Sequence, residues 1–249
     1  MWLDRYSHIR KVHQNAYDFT GNYIPLGISM KDYYSNNSFE FFKDHEKMFE
    51  NEMIKAQAVK SIASDMIPCI VLRFDPVLIP SMFGGKVVNV GERPWVEPWM
   101  SIDDVKKLKK PSIDSGVMPR VVKAIEYFVK NAPDDVVICT PPEPFPFEIA
   151  VAMLGSSIYY EVYDRPELVE ELLQIITATF IEVETLIKSL LQEPMKAKIS
   201  YFGIYTPGIR MACDSIVNLS PDMIKSFLYP VFKEISNSFG RVMVHYCPT

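Results

Sequence analysis

Apolar and polar positions follow two periods along this chain, and each change of period marks an element. From Asp44 onward Met48, Phe49, Met53, Ala56 and Ile62 recur at helical spacing, with Glu46 near the start, where open helix N–H groups favour negative charge. This predicts a long helix over 44–64. Ile67 to Phe74 is a compact apolar run in which charge appears only at Arg73 and then Asp75, the pattern of a buried strand that ends at a polar residue. Pro76 to Trp99 holds Gly84-Gly85, Gly91 and four prolines. It reads as a loop excursion with a short strand or hairpin around Lys86 to Val90, placed to cover a pocket. Val121, Val122, Ile125, Phe128 and Val129 share a face of a helix over Val117 to Lys130, and a strand follows at Val136 to Thr140. Four prolines between Pro141 and Phe147 remove ladder donors and shape a loop, after which Phe147 to Leu154 reads as a helix.

The second half repeats the alternation. Asp164 as cap, Pro166 in the first turn and Glu167 three residues beyond the cap predict a helix whose apolar face runs from Leu168 to Leu190. Ala197 to Ile204 reads as a strand followed by a glycine-containing loop. Ser220 and Pro221 open a helix that Gly240 ends, and Arg241 to His245 is the following strand. At the other end, residues 1–22 read as an opening helix or arm, and Tyr23 to Ile28 as a short first strand. Strands separated by long helical returns imply an α/β fold with parallel strands, either a (β/α)₈ barrel or an open doubly wound sheet. In both, sites lie at the carboxyl ends of the strands. Asp75, Thr140 with Glu143, the Tyr205 to Asp214 region, and His245 with Cys247 all fall there. No GxGxxG or P-loop pattern supports a nucleotide site.

Composition narrows the class. With 249 residues and 48% hydrophobic content the chain can bury one large core, and no linker divides it. Lys plus Arg total 26 against 31 Asp plus Glu, a net charge of -5 that gives no field favouring nucleic acid. The basic run Lys106, Lys107, Lys109, Lys110 alternates with Val105 and Leu108, as the solvated side of a short helix does. Cys69, Cys139, Cys213 and Cys247 are far apart, without a CxxC pair or a secretory signal, so a cytoplasmic protein with reduced thiols is expected. The apolar stretch Ile149 to Ser157 is far shorter than the roughly 20 residues that cross a bilayer, so no membrane role is expected.

Few residues carry candidate chemistry. His245 and Cys247, two apart on a strand end, face one side if the strand stays extended, and imidazole with thiolate suits zinc. Two ligands do not complete a site; the alternative is a packed histidine and an inert cysteine. Asp75 is either a catalytic carboxylate or a turn residue, and Asp214-Ser215 either contacts substrate or stabilises its loop. Glu143, among prolines, points to the mouth or to solvent, and Tyr159, Tyr160 and Tyr163 read as core or rim packing.

Several segments, in order and at similar spacing, resemble the uroporphyrinogen decarboxylase and cobalamin-dependent methyltransferase superfamily from about Asp44 to the terminus. They are Asp65-Met66-Ile67-Pro68, Phe74-Asp75 through Pro80-Ser81-Met82-Phe83-Gly84, Pro146-Phe147 through Leu154-Gly155, and Tyr163-Asp164-Arg165-Pro166-Glu167. Asp214-Ser215 leading to Leu219-Ser220-Pro221 and Pro230, and Val242-Met243-Val244 leading to His245-Tyr246-Cys247, complete the set. The resemblance implies a (β/α)₈ barrel. Five candidate strands are present rather than eight, so a C-terminally truncated barrel domain over 1–249 is expected. In the decarboxylase branch the aspartate matching Asp75 contacts the pyrrole nitrogens of a tetrapyrrole, but the arginine-rich substrate segment has no counterpart in Tyr23-Ile24-Pro25-Leu26-Gly27.

The methyltransferase branch is favoured. There the pair matching His245 and Cys247 binds zinc, which holds an acceptor thiolate or activates a methyl donor, while a partner protein carries the corrinoid (cobalamin). The glycine usual after the cysteine is Pro248 here. This reading makes Asp75 and Asp214 catalytic, Glu143 and Ser215 cofactor-binding, and His245 and Cys247 metal ligands. The reaction expected is methyl transfer between a small methylated compound or thiol acceptor and the corrinoid protein. Tetrapyrrole decarboxylation or a non-catalytic corrinoid-associated role is the alternative.

Overall fold

The computed structural model describes residues 6–22, 24–27, 38–62, 64–142, 144–192, 198–200 and 202–246. Helix α1 (Ser7–Asp18) precedes α2 (Ser38–Lys43) and α3 (His45–Lys60). Asp44 starts α3 by accepting the Glu46 and Lys47 N–H groups at 3.0 and 3.2 Å, two of the donors a helix start leaves open. Strand β1 (Cys69–Val71) is followed by α4 (Leu78–Met82), the hairpin β2 (Val87–Val90) and β3 (Arg93–Val96), a 3₁₀ segment (Ile102–Lys107), α5 (Met118–Asn131) and β4 (Val137–Cys139). Then come α6 (Pro146–Leu154), α7 (Ile158–Asp164), the long α8 (Pro166–Leu190), and the short strands β5 (Lys198–Ile199) and β6 (Tyr205–Thr206). Strand β7 (Gly208–Ala212), α9 (Pro221–Met223), a π-helical turn (Ile224–Leu228), α10 (Tyr229–Phe239) and β8 (Arg241–His245) complete the order.

The fold is mixed α/β with parallel strand pairs. β1 runs parallel to β4, Val71 opposite Cys139, and β7 parallel to β8, Ala212 opposite His245. A parallel bridge from Pro144 to Ala212, with Phe145 N–H donating to Ala212 O at 2.8 Å, joins the chain leaving β4 to β7. The carboxyl ends of these strands therefore lie together. Side chains alternate with the strand period of two. Ile70, Leu72, Val136, Ile138, Ile209, Met211, Val242 and Val244 join the large core under the helices. Cys69, Val71, Val137 and Cys139 face the other way, into a smaller cluster with Ile199, Tyr205, Tyr6 and Ile9. Helix α1 closes that cluster: Tyr6 Oη donates to Asp135 O at 2.8 Å, Arg241 pairs with Asp18 at 2.8 Å, and buried His13 Nδ1 accepts the Tyr205 N–H at 3.0 Å. Among the described residues no helix is long and apolar enough to cross a membrane.

Some sequence expectations are corrected. Ala197 to Ile204 is not one strand. β5 and β6 pair antiparallel, Lys198 opposite Thr206, because Gly203 at φ 68° reverses the chain where a Cβ would stand 2.3 Å from Ile67 O. The missed strand is β7, inside a stretch read as loop. Residues 24–27 form no strand; Leu26 exchanges hydrogen bonds with Asp65, and Tyr23 and Ile28 lie outside the described residues. Asp164 does not cap α8: it ends α7, and Arg165 occupies the cap position without a side-chain bond. Of the three tyrosines read as core or rim, Tyr159 packs against the core, while Tyr160 and Tyr163 are each 71% exposed. The hairpin, the helix behind Ser220 and the last strand lie where the sequence places them.

Candidate active site

Two cavities meet at the carboxyl end of β1. The larger, about 580 Å³, is mostly apolar and is walled by the turn after β1, the end of β3, the proline loop after β4, α6, and the end of β7. Three carboxylates line it: Asp75, Glu148 and Asp214. Asp75 is there because β1 stops at Val71 and the chain turns over residues 75–77; Asp214 because β7 stops at Ala212 and a 3₁₀ turn (Asp214–Asn218) follows. Glu148 lies in the first turn of α6, and its Oε2 accepts the Ser215 N–H at 3.0 Å, clasping the β7 loop. Tyr159 lines the same space and its hydroxyl accepts from Asn218 Nδ2 at 3.2 Å.

The electrostatics of this cavity follow from its apolar walls. Burial pushes the Asp75 carboxyl above the usual range, opposed by the charge of Arg73 and by the residue's own N–H, and reinforced by Glu52. Cys213, buried behind the same turn, has its thiol pushed up to about 12 by burial and then by the charge of Glu148. It is not a thiolate at neutral pH.

The second cavity, about 420 Å³, lies across Asp75, Pro76 and Trp95, which line both spaces. Its other walls include Glu52, Lys55, Arg73 and Arg93. Glu52 is buried, and its carboxylate accepts from Val71 N–H at 3.2 Å, Arg73 Nε at 3.3 Å and Lys55 Nζ at 2.5 Å. These contacts are charge-assisted and hold both cations at the rim.

Of the residues singled out from sequence, the structure brings Asp75 and Asp214 to one cavity. Ser215 is buried beside it with its N–H on Glu148. Thr140 turns away, donating to Glu184 Oε1 on α8 at 3.4 Å. Glu143 and Cys247 lie outside the described residues. His245 stands at the end of β8, beside β7, and its carbonyl accepts the Cys213 N–H at 2.8 Å; it does not line either cavity. Among the described residues no three of His, Cys, Asp and Glu come together to hold a metal, so these residues alone do not make a zinc site. Sequence reasoning missed Glu148, Glu52, Lys55 and Trp95. Glu148 had a signal, as the only charge in the apolar run from Pro146 to Leu154.

The uroporphyrinogen decarboxylase (URO-D) family model matches residues 19–189, well over half of the 249. The chain belongs to that family. Among solved structures, a methyltransferase from Methanosarcina mazei shares the fold: TM-score 0.70 at 15% identity, over 96% of this chain and 70% of that one. No curated protein matches the sequence.

Proposed function

We propose that this chain is a methyltransferase acting at the cavity of Asp75, Glu148 and Asp214, and that its parallel strands are part of a (β/α)₈ barrel. The methyl group passes between a small methylated compound or thiol and a corrinoid held by a partner protein, in the cytoplasm. The observation that carries the reading is one apolar cavity at the strand carboxyl ends with Asp75 on its wall. The fold shared with a methyltransferase supports it.

In such a transfer the acceptor's electron pair makes the new bond to the methyl carbon while the donor keeps the pair that held it. Apolar walls exclude the water that would compete as acceptor. Asp75, whose carboxyl burial raises above its usual range, is the residue placed to donate a proton to the departing heteroatom of the methylated compound. Glu148 holds the loop that closes the far wall through the Ser215 N–H, and Asp214 lines that wall. His245 and Cys247 are proposed as two zinc ligands, the rest of the set coming from beyond the described donors; zinc, when bound, would polarise a thiol or methylated group.

Tetrapyrrole decarboxylation is the second reading, favoured by the family match. One experiment separates them: incubation with methylcobalamin and a small thiol, following loss of the methyl–cobalt absorbance, beside incubation with uroporphyrinogen, following released carbon dioxide. Methyl loss that requires the protein is expected; carbon dioxide without methyl loss would overturn the assignment.

A further inference from the structure

Away from both cavities, two thiols from different strands converge. Cys69 opens β1 and Cys139 ends β4; Cys69 stands opposite Val137 and Cys139 opposite Val71, so the two are diagonal neighbours across one parallel pair. Both face the smaller cluster that α1 closes. Both sulfhydryls donate to one acceptor, the Ser200 carbonyl oxygen just after β5, Cys69 at 3.9 Å and Cys139 at 3.7 Å. Cys139 is fully buried and Cys69 partly exposed, which leaves the pair an approach from solvent. Direct bonding between the sulfurs is out of reach: parallel strands about 4.8 Å apart and a two-residue offset of about 6.6 Å separate the Cα atoms by roughly 8 Å, more than a disulfide spans. A bridge through one atom is within reach, because two metal–sulfur bonds of about 2.3 Å, the zinc–thiolate length, cover about 4.6 Å.

We propose that Cys69 and Cys139 form a two-coordinate site for copper(I), a soft monovalent cation, which straps β1 to β4. Thiolate sulfur is the donor such an ion selects. Zinc in a structural site takes four ligands, and among the described residues no third His, Cys, Asp or Glu joins the pair, so a two-coordinate ion is the one this donor set fits. Binding exchanges each S–H bond for a sulfur–metal bond. Two protons leave to solvent, one cation enters, nothing is oxidised or reduced, and the loaded site carries one negative charge. Arg10, its guanidinium 4.8 Å over the Tyr205 ring, brings positive charge to the same cluster. Ile67, Val71, Val137 and Ile199 exclude the water that would compete for the ion. The site is separate from the cavity at Asp75 and stands whether or not methyl transfer occurs there.

Titration with copper(I) against the chelator bicinchoninate tests it, in the full chain carrying Cys247→Ser so that the thiol proposed above for zinc does not contribute. One equivalent per chain is expected, with a thiolate-to-copper ultraviolet band and two sulfur neighbours by X-ray absorption. Cys69→Ser and Cys139→Ser, each added to that parent, are expected to weaken binding by about 100-fold or more, because a hydroxyl does not replace a soft thiolate. Cys213→Ser is expected to bind as the parent does. Copper(I) is also expected to raise Tm in the parent and not in Cys69→Ser, since an ion held only by the folded chain stabilises it. Where Cys139→Ser does not fold, Cys69→Ser at the partly exposed position decides alone. Unchanged copper(I) affinity in Cys69→Ser at the parent's Tm, or an equal loss in Cys213→Ser, would overturn the proposal, as would displacement of copper(I) by equimolar zinc(II).

Discussion

Asp75 shows how one side chain can be legible in position and illegible in state. An aspartate directly after an apolar run marks a strand end from sequence alone, but its raised pKa comes from walls supplied by α6, the hairpin and the proline loop, which no local pattern reveals. The sign of its pH effect follows. Its folded pKa lies above the ordinary 3.8, so its contribution to stability is fully present below that value and is lost as pH rises through the folded pKa. Asp75→Asn removes the charge and keeps the size. Thermal unfolding of both proteins between about pH 4 and 8 should show Tm values that agree at the acid end and a growing advantage for Asn as pH rises. A variant that loses stability at neutral pH would instead make Asp75 a structural turn residue. Glu52 is the opposite case: it stands among many charges in α3, and only the structure shows that it is the buried one, bonded to Arg73 and Lys55.

Helices were the legible elements, because their periods persist over many residues: α3, α5, α8 and the helix behind Ser220 lie within a few residues of their patterns. The strands are two to five residues long, too short for a period to declare itself. In β7 the apolar alternation of Ile209, Met211 and Cys213 was present, but Arg210 and the glycines around it read as loop. The π-helical turn also had a cause in the sequence. Pro230 has no N–H to give the Ser226 carbonyl, and the turn before it widens. Strand β7 depends on Gly208, whose φ of 142° brings it against β8 so closely that a Cβ would stand 1.9 Å from Arg241 O. Gly208→Ala should therefore cost about 2–4 kcal/mol, a Tm lower by roughly 5–10 °C in thermal unfolding, since backbone rather than a flexible side chain must yield. A Tm within a degree of wild type would mean that β7 and β8 are not held in this register.

At the scale of the whole molecule, the order of elements implied parallel strands with sites at one end, and β1 with β4 and β7 with β8 pair that way, while β2–β3 and β5–β6 are antiparallel. What could not be read was which strand ends converge. Asp75 and Asp214 are 139 positions apart in sequence and share a cavity only because Pro144 bridges to Ala212. The recess of Lys55, Arg73 and Arg93 likewise assembles from α3, the end of β1 and a hairpin. If methyl transfer occurs at Asp75, its rate depends on that carboxyl. Single-turnover transfer from methylcobalamin to a small thiol, and in the reverse direction from a methylated thiol to reduced corrinoid, measures it in wild type and in Asp75→Asn of matched fold. A reverse rate lower by about 100-fold or more is expected in Asp75→Asn, where a proton must reach the leaving sulfur; equal rates in the two proteins would mean that Asp75 takes no part in the transfer.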